Sequence, residues 1–241
     1  MIEDYLRGRS GVYGVTLENL DTGQTVLINE DLQFLAASTY KVLVMYKAYE
    51  AMETGVLSGD DLLTVTESDT EEEEPYGGFY PGERVPVADA LEAMVTASDN
   101  AAAYALTRVL GGWGVIETAA EELGMSKTRL EDGYFWTTPA DMQTFFAALA
   151  ESRLVSAEAS HQMVDLLRRQ RLNDEIPALL PADAEVAHKT GKLPGVTNDA
   201  GIVYGPGGAY IICVFSQSED EDEAASTIAQ VALLAYARYA S

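Results

Sequence analysis

The pattern of apolar and polar residues changes its period along the chain, and each period predicts a different element. Two short runs near the start, at 12–18 and 24–29, flank Asp21-Thr22-Gly23, where Asp and Gly suit a tight turn. We therefore predict a β-hairpin. From residue 38 to residue 53 the apolar positions recur at helical spacing, and Gly55 follows as a stop signal. A long helix beginning at residue 38 is the expected next element.

The middle of the chain continues with helical periodicity, and its last part returns to the period of strands. Helical patterns cover residues 87–96, 100–109, 115–123, 139–150 and 157–169. After Pro177 and Pro181 the period becomes two. Strands are predicted at 185–189, 200–204 and 209–216, and a final helix at 222–239. The early hairpin and the late strands pair most economically in one antiparallel sheet.

These elements predict an α/β fold. We expect an antiparallel sheet of about five strands, flanked by N- and C-terminal helices, with an inserted all-helical subdomain. Residues 1–36 and 182–241 would form the discontinuous sheet subdomain, and 37–181 the helical one, within one domain overall. A functional cleft is then expected between the two parts.

Composition and charge narrow the possible partners. The chain has 241 residues, 47% hydrophobic and 22% charged, which suits a globular protein with a sizeable core. A formal net charge of -24 opposes binding to nucleic acid, which we exclude as a partner. We find no apolar stretch long enough to span a membrane and no secretory signal at the start, which leaves the cellular location open. The acidic run at 71–74 is expected in a solvated loop.

Cysteine and histidine are too scarce for common metal sites. Cys213 is the only cysteine and lies in an apolar run, so we expect a buried core thiol and no internal disulfide. His161 and His188 are the only histidines, too few for a typical zinc site. We expect neither a metal nor another cofactor.

Three short polar motifs carry the candidate chemistry. They are Ser38-Thr39-Tyr40-Lys41, Ser98-Asp99-Asn100 and Lys189-Thr190-Gly191. Ser38 and Lys41 are neighbours on a helical surface, and Ser38 stands at the predicted helix N-terminus, where backbone amides favour negative charge. Taken singly, each motif also suits a helix cap, a solvated lysine or a plain edge strand. Three of the five lysines, however, lie in or beside these motifs, which predicts an anionic substrate.

In this order the motifs are S-x-x-K, S-D-N and K-T-G, and the chain resembles class A β-lactamases and their penicillin-binding relatives. The resemblance implies a β-lactamase-like fold and a serine acyl-enzyme mechanism. Ser38 would be the nucleophile and Lys41 its base. By the same resemblance, Ser98 relays protons to the leaving group and Asn100 binds the amide side chain of the substrate.

The third motif would bind the substrate at the edge of the sheet. By resemblance, Lys189 and Thr190 bind the substrate carboxylate, and the backbone amide of Lys192 joins that of Ser38 in an oxyanion hole. Gly191 would let an extended substrate pair with the strand. The implied substrate is a small molecule or peptide that carries a carboxylate, either a β-lactam or a D-Ala-D-Ala-like peptide. The family resemblance also implies export, if a signal was removed.

One departure from the family affects turnover. Thr128-Arg129-Leu130 and Thr137-Thr138-Pro139 resemble the flanks of the omega loop, but only residues 131–136 lie between them and no E-x-x-L-N occurs there. The usual base for deacylation is therefore missing or relocated, with Glu131 or Asp132 as possible substitutes. We expect a β-lactamase-like serine hydrolase that deacylates slowly. The alternatives are a D-Ala-D-Ala carboxypeptidase or transpeptidase, and a covalent β-lactam-binding protein without turnover.

Overall fold

The computed structural model describes residues 1–70 and 78–239, so the acidic run at 71–74 lies outside the described residues. The helices are α1 (Ile2–Leu6), α2 (Lys41–Glu53), α3 (Val87–Thr96), α4 (Asn100–Val109), α5 (Trp113–Glu122), α6 (Pro139–Ala150), α7 (Ala157–Arg168) and α8 (Glu221–Tyr239). The strands are β1 (Val12–Asn19), β2 (Thr25–Ile28), β3 (Phe34–Leu35), β4 (Leu62–Thr64), β5 (Arg84–Pro86), β6 (Arg129–Glu131), β7 (Tyr134–Thr137), β8 (Glu185–Leu193), β9 (Val196–Gly205) and β10 (Gly208–Gln217).

The main sheet joins the two ends of the chain, as predicted. Its five strands have the order β2-β1-β10-β9-β8, and every neighbouring pair is antiparallel. The early hairpin meets the late strands through β1 and β10, which pair from Val12 opposite Gln217 to Asn19 opposite Tyr210. Together with the helices on its faces, this sheet confirms the predicted α/β fold. β8 forms one edge of the sheet, and among residues 1–70 and 78–239 no strand pairs with its outer side.

β8 and β9 are longer than the sequence predicts, and this corrects the position of the K-T-G motif. We expected strands at 185–189 and 200–204, with Lys189-Thr190-Gly191 closing the first. In the structure, β8 continues to Leu193, paired with Val196 of β9, so the motif lies inside the strand. The polar side chains of Asn198 and Asp199 are fully buried and interrupt the apolar alternation from which strands are predicted.

The core covers both faces of the sheet, which places the sheet between two helical layers. On β10, Ile211, Cys213 and Phe215 face the cluster that includes the buried residues of α2 to α7. The alternate residues, Ile212 and Val214, face the cluster formed with α1 and α8. Because successive side chains of a strand point to opposite faces, a strand that is apolar at every position must be covered on both. Cys213 is the predicted buried thiol.

The helical part differs from the prediction at the first motif. α2 begins at Lys41 rather than at residue 38, and Ser38 lies in a preceding 3-10 turn, Ala37–Tyr40. This turn is tightened because the backbone amide and the hydroxyl of Thr39 both donate to the Ala36 carbonyl oxygen, at 3.1 and 2.7 Å. Ala37, with φ +46°, breaks the helical conformation just before Ser38.

The helical part also contains short strands that the sequence analysis did not predict. β4 pairs with β5, and β3, β7 and β6 form a second small sheet. The division into residues 1–36 with 182–241 and 37–181 remains a prediction. Among the described residues, every helix is too short or too polar to cross a membrane.

Candidate active site

The segment that leads into Ser38 is held between the main sheet and the small sheet formed by β3, β7 and β6. On one side, the backbone amide of Ala36 donates to the carbonyl oxygen of Phe135 in β7 at 2.7 Å. On the other, the side-chain amide of Asn198 in β9 donates to the Leu35 carbonyl oxygen at 2.8 Å. Ser38 itself is partly exposed. No role for Asn198 was predicted from the sequence.

The second motif takes its shape from Asp99, not from Ser98 or Asn100. The Asp99 side chain caps α4 by accepting from the backbone amide of Ala102 at 2.7 Å. Ser98 has a positive φ of +59°, a conformation that costs energy for a residue with a Cβ and occurs often at functional sites. Because Asp99 supplies the cap, the side chains of Ser98 and Asn100 are left for other contacts.

Lys41 makes those contacts and thereby joins the first motif to the second. Its side chain is completely buried. The ammonium nitrogen donates to the Ser98 carbonyl oxygen at 2.7 Å and to the Ser98 hydroxyl at 3.3 Å. It also donates to the side-chain oxygen of Asn100. Lys41 is thus fixed by the serine and the asparagine of S-D-N.

Lys189 brings the third motif to the same serine. Its ammonium nitrogen lies 3.1 Å from Ser98 Oγ and donates to the Thr190 carbonyl oxygen at 2.9 Å. Burial lowers the pKa of Lys189 to about 7, opposed by the nearby carboxylates of Asp199 and Glu175. Ser98 Oγ therefore lies within hydrogen-bond distance of two buried lysines, one from each neighbouring motif.

Gly191 packs against the turn that carries Ser38. A Cβ atom at Gly191 would lie 2.8 Å from the Ala36 carbonyl oxygen and 3.0 Å from the Thr39 amide nitrogen. We expected this glycine to admit a substrate. The short distances give a further reason for a glycine at position 191: no larger residue fits between β8 and the 3-10 turn.

A buried polar cluster, not predicted from the sequence, lies on the other face of β8. His188 Nδ1 lies 2.9 Å from Asp199 Oδ1, and the backbone amide of Ile176 donates to Asp199 Oδ2 at 3.1 Å. Lys192 Nζ lies 2.5 Å from Glu175 Oε1. His188 and Lys192 are four residues apart and share one face of the strand. From the sequence, this spacing could have indicated that the two side chains lie on the same side of the strand. It does not identify the carboxylates that His188 and Lys192 contact.

The segment in place of the omega loop is a tight β-hairpin. β6 and β7 pair, and Asp132 and Gly133 form the two-residue turn with φ of +52° and +83°. An Asp-Gly pair with both φ angles positive is typical of a hairpin of this length. Glu131 Oε2 accepts a hydrogen bond from Arg129 Nε at 3.0 Å, and the Glu131 side chain is half exposed. The Asp-Gly pair was the sequence signal for this hairpin, which we did not predict.

The hairpin also places an aromatic ring against the first motif. The ring of Phe135 stacks on Tyr40, with 5.2 Å between centroids and 16° between planes. Trp113 from α5 packs edge-on against Tyr40 at 5.6 Å. An aromatic cluster thus lies beside the S-x-x-K segment. Across residues 1–70 and 78–239, no group of three or more His, Cys, Asp or Glu side chains is arranged to hold a metal ion.

The motifs that the sequence predicted to converge do so around Ser98, and comparison with known proteins identifies the family. Residues 1–239 match the model of the "Beta-lactamase enzyme family". The chain belongs to this family. Within the family, Beta-lactamase 1 of Bacillus cereus is 27% identical over 237 residues, which cover 92% of this chain and 76% of that protein.

Solved structures place the family fold over the whole chain. PBP-A is 26% identical with a TM-score of 0.91, over 99% of this chain and 93% of PBP-A. An ancestral class A β-lactamase is 27% identical with a TM-score of 0.88, over 99% of this chain and 98% of the ancestral one. A leucine-to-glutamate mutant of PBP-A, 26% identical with a TM-score of 0.91 over 99% of this chain and 94% of its own, was solved as an acyl-enzyme complex with penicillin G. The chain is therefore a class A β-lactamase-like member of the serine hydrolases.

Proposed function

We propose that β-lactams acylate Ser38, that the lactam ring opens, and that the acyl-enzyme is hydrolysed slowly. The observation that carries this proposal is the position of Ser98 Oγ, 3.3 Å from the buried ammonium of Lys41 and 3.1 Å from that of Lys189. Two buried lysines around one hydroxyl suit proton transfer during acyl transfer, and one of them, Lys41, lies three residues after the partly exposed Ser38. Ser38 is the catalytic nucleophile in this proposal.

In the proposed acylation step, one bond to the lactam carbonyl carbon forms, one breaks, and one proton moves from Ser38 to the departing nitrogen. Ser38 Oγ forms a bond to the lactam carbonyl carbon while Lys41, in its neutral form, accepts the hydroxyl proton. The backbone amides of Ser38 and Lys192 stabilise the oxyanion. The carbon–nitrogen bond then breaks, and the proton passes from Lys41 through the Ser98 hydroxyl to the departing nitrogen. The contact between Lys41 and Ser98 supports this relay.

Substrate binding is assigned to the remaining motif residues. Lys189 and Thr190 bind the substrate carboxylate, and β8 offers alongside Gly191 an edge that no strand of the described residues pairs with. Asn100 binds the amide side chain of the substrate, and its orientation is supported by the bond from Lys41 to its side-chain oxygen. The substrate class is thus a carboxylate-bearing β-lactam or a peptide of similar shape.

The hairpin between Arg129 and Thr137 supports slow deacylation. It has no E-x-x-L-N segment to activate water, and the ring of Phe135 lies against Tyr40. Its own carboxylates offer a weak substitute, since Glu131 is paired with Arg129. We expect Glu131→Gln and Asp132→Asn to leave deacylation unchanged. A loss of at least tenfold in either variant would identify a relocated base.

A second candidate is a D-Ala-D-Ala carboxypeptidase or transpeptidase. The short hairpin in place of the omega loop favours it. A third is a protein that forms the β-lactam adduct without any turnover. All three share the acylation step and differ only in what removes the acyl group.

Intact-mass spectrometry after exposure to benzylpenicillin tests the shared step. We expect one added penicillin mass on the wild-type protein and none on Ser38→Ala. An unmodified wild type, or a modified Ser38→Ala variant, contradicts the proposal. A chromogenic cephalosporin followed with pre-steady-state resolution separates the candidates: a burst with slow turnover indicates the hydrolase, and a burst alone the non-turnover protein. Release of D-alanine from a D-Ala-D-Ala peptide indicates the peptidase.

A further inference from the structure

Glu175 is a buried carboxylate beside the proposed substrate-binding strand. Its side chain is fully buried at the start of the 3-10 helix Ile176–Leu179. Lys192 Nζ lies 2.5 Å from Glu175 Oε1 and forms an ion pair with it. Within the described part of the chain, no other group donates a hydrogen bond to either carboxylate oxygen of Glu175. A buried carboxylate is costly unless its charge is compensated, and Lys192 supplies that compensation.

Lys192 directly follows K-T-G and lies two residues beyond Thr190 on the same face of β8. Its side chain is 46% exposed, so a free ammonium at this position would attract the carboxylate of a bound ligand. The pair with Glu175 prevents this by directing the ammonium to a buried negative charge. The pKa changes agree: burial lowers the pKa of Lys192, but Glu175 more than offsets this and the net pKa is raised.

The neighbouring carboxylate of Asp199 has partners of its own. Asp199 is shared between His188 and the Ile176 amide behind the strand. Lys189 faces the opposite side of β8, where it contacts Ser98. With Lys192 paired, Lys189 is the cation of this strand that remains available to a ligand carboxylate.

We propose that Glu175 determines specificity by neutralising Lys192, so that a ligand carboxylate is bound by Lys189 and Thr190 alone. This inference rests on the proposed function. Glu175 touches neither substrate nor reacting atoms. It pairs with Lys192, and its charge also raises the pKa of Lys189. Removing its charge releases a second cation at the carboxylate end of the cleft, which strengthens binding of anionic ligands without altering the acylation step.

The test compares Glu175→Gln with wild type on two ligands, benzylpenicillin and its methyl ester, which lacks the charge. Pre-steady-state acylation gives the Kd of the non-covalent complex separately from the acylation rate constant. We expect Glu175→Gln to lower the Kd of the acid roughly three- to thirtyfold, as for one screened charge, with no change for the ester. The acylation rate constant should be unchanged. The gain for the acid should disappear in Glu175→Gln/Lys192→Gln.

Glu185→Gln is the matched control. It removes the same charge from the distant end of β8, where Glu185 pairs with Arg168 at the surface, and it should leave both Kd values unchanged. If Glu175→Gln does not fold, Glu175→Asp keeps the charge, shortens the reach to Lys192 and should give a smaller gain for the acid only.

Equal shifts for acid and ester, or no shift for the acid, overturn the inference. So does a gain that survives in the double variant, because Lys192 would not be its source. If wild type is not acylated by either ligand, the proposed function fails and the inference falls with it. If wild type is acylated but the variants do not separate acid from ester, only the inference fails.

Discussion

Lys189 Nζ lies 3.1 Å from Ser98 Oγ, and the lysine side chain is completely buried. The charged form of a buried lysine loses the hydration that it would have in water. Burial therefore lowers the pKa of Lys189 to about 7. Its positive charge is therefore present below about pH 7 and lost above it. Ligand binding at K-T-G should follow this ionisation.

We predict that the Kd of benzylpenicillin rises about tenfold between about pH 6 and pH 8, because the fraction of charged Lys189 falls by that factor. The Kd of the non-covalent complex is measured by stopped-flow acylation at constant ionic strength. In Lys189→Arg the guanidinium stays charged throughout this range, so the dependence should disappear. A wild-type Kd that is flat across the range contradicts the assignment of Lys189 to the carboxylate.

Gly191→Ala should displace the turn that carries Ser38. The new Cβ would lie 2.8 Å from the Ala36 carbonyl oxygen, which is closer than real contacts allow. We expect a loss of about 1–3 kcal/mol in the free energy of unfolding, with an acylation rate at least tenfold lower. Denaturant titration and stopped-flow acylation measure the two effects. Gly114→Ala lies in α5, where the added Cβ would have no described atom within 4 Å apart from its chain neighbours and its own helix backbone, and it should be neutral or slightly stabilising.

The sequence predicted the elements of the main sheet better than their ends. Strong alternation in 209–216 identified β10 to within one residue at each end. β9 was cut short because Asn198 and Asp199 are buried polar residues, and their partners lie in other elements. Local periodicity records which face of a strand is apolar, but not which polar side chains are satisfied by tertiary contacts.

The candidate site likewise has features that the sequence indicates and features that depend on tertiary contacts. The three motifs were readable because their residue types and order are specific, and the hairpin at Asp132-Gly133 could have been predicted from its turn residues. The pair between Glu175 and Lys192 could not, because it joins a 3-10 helix to an edge strand across 17 positions of sequence. Such pairing is set by how the elements pack, and no local pattern of residues indicates it.

Asp99→Ala should weaken both α4 and the active site. Asp99 caps α4 by accepting from the Ala102 amide at 2.7 Å, and it follows Ser98, whose φ is positive. Loss of the cap should cost about 1 kcal/mol of unfolding free energy, and the relaxed Ser98 should slow acylation several-fold. Ser156→Ala removes the cap of α7 and should cost a similar free energy with no change in acylation. Equal acylation in both variants would show that the cap is only structural.

Arg108→Ala should reduce stability in a pH-dependent way. Arg108 Nη2 lies 2.8 Å from Asp69 Oδ2, and the Asp69 side chain is almost fully buried. Burial raises the pKa of Asp69, but hydrogen bonds from Arg108 and Thr66 outweigh it and the net pKa is lowered. The pair therefore stabilises the fold above the unfolded pKa of about 4, and this contribution is lost as the pH falls through the lower folded value.

We expect Arg108→Ala to cost about 1–3 kcal/mol at neutral pH, because it leaves the buried carboxylate of Asp69 without its cationic partner. The difference from wild type should shrink below about pH 4, where Asp69 becomes protonated in the variant. Urea titrations across this pH range measure both. Arg153→Ala breaks an exposed pair with Glu151 and should cost less than about 0.5 kcal/mol at any pH. A cost for Arg108→Ala that does not change with pH would mean that its packing, and not its charge, stabilises this region.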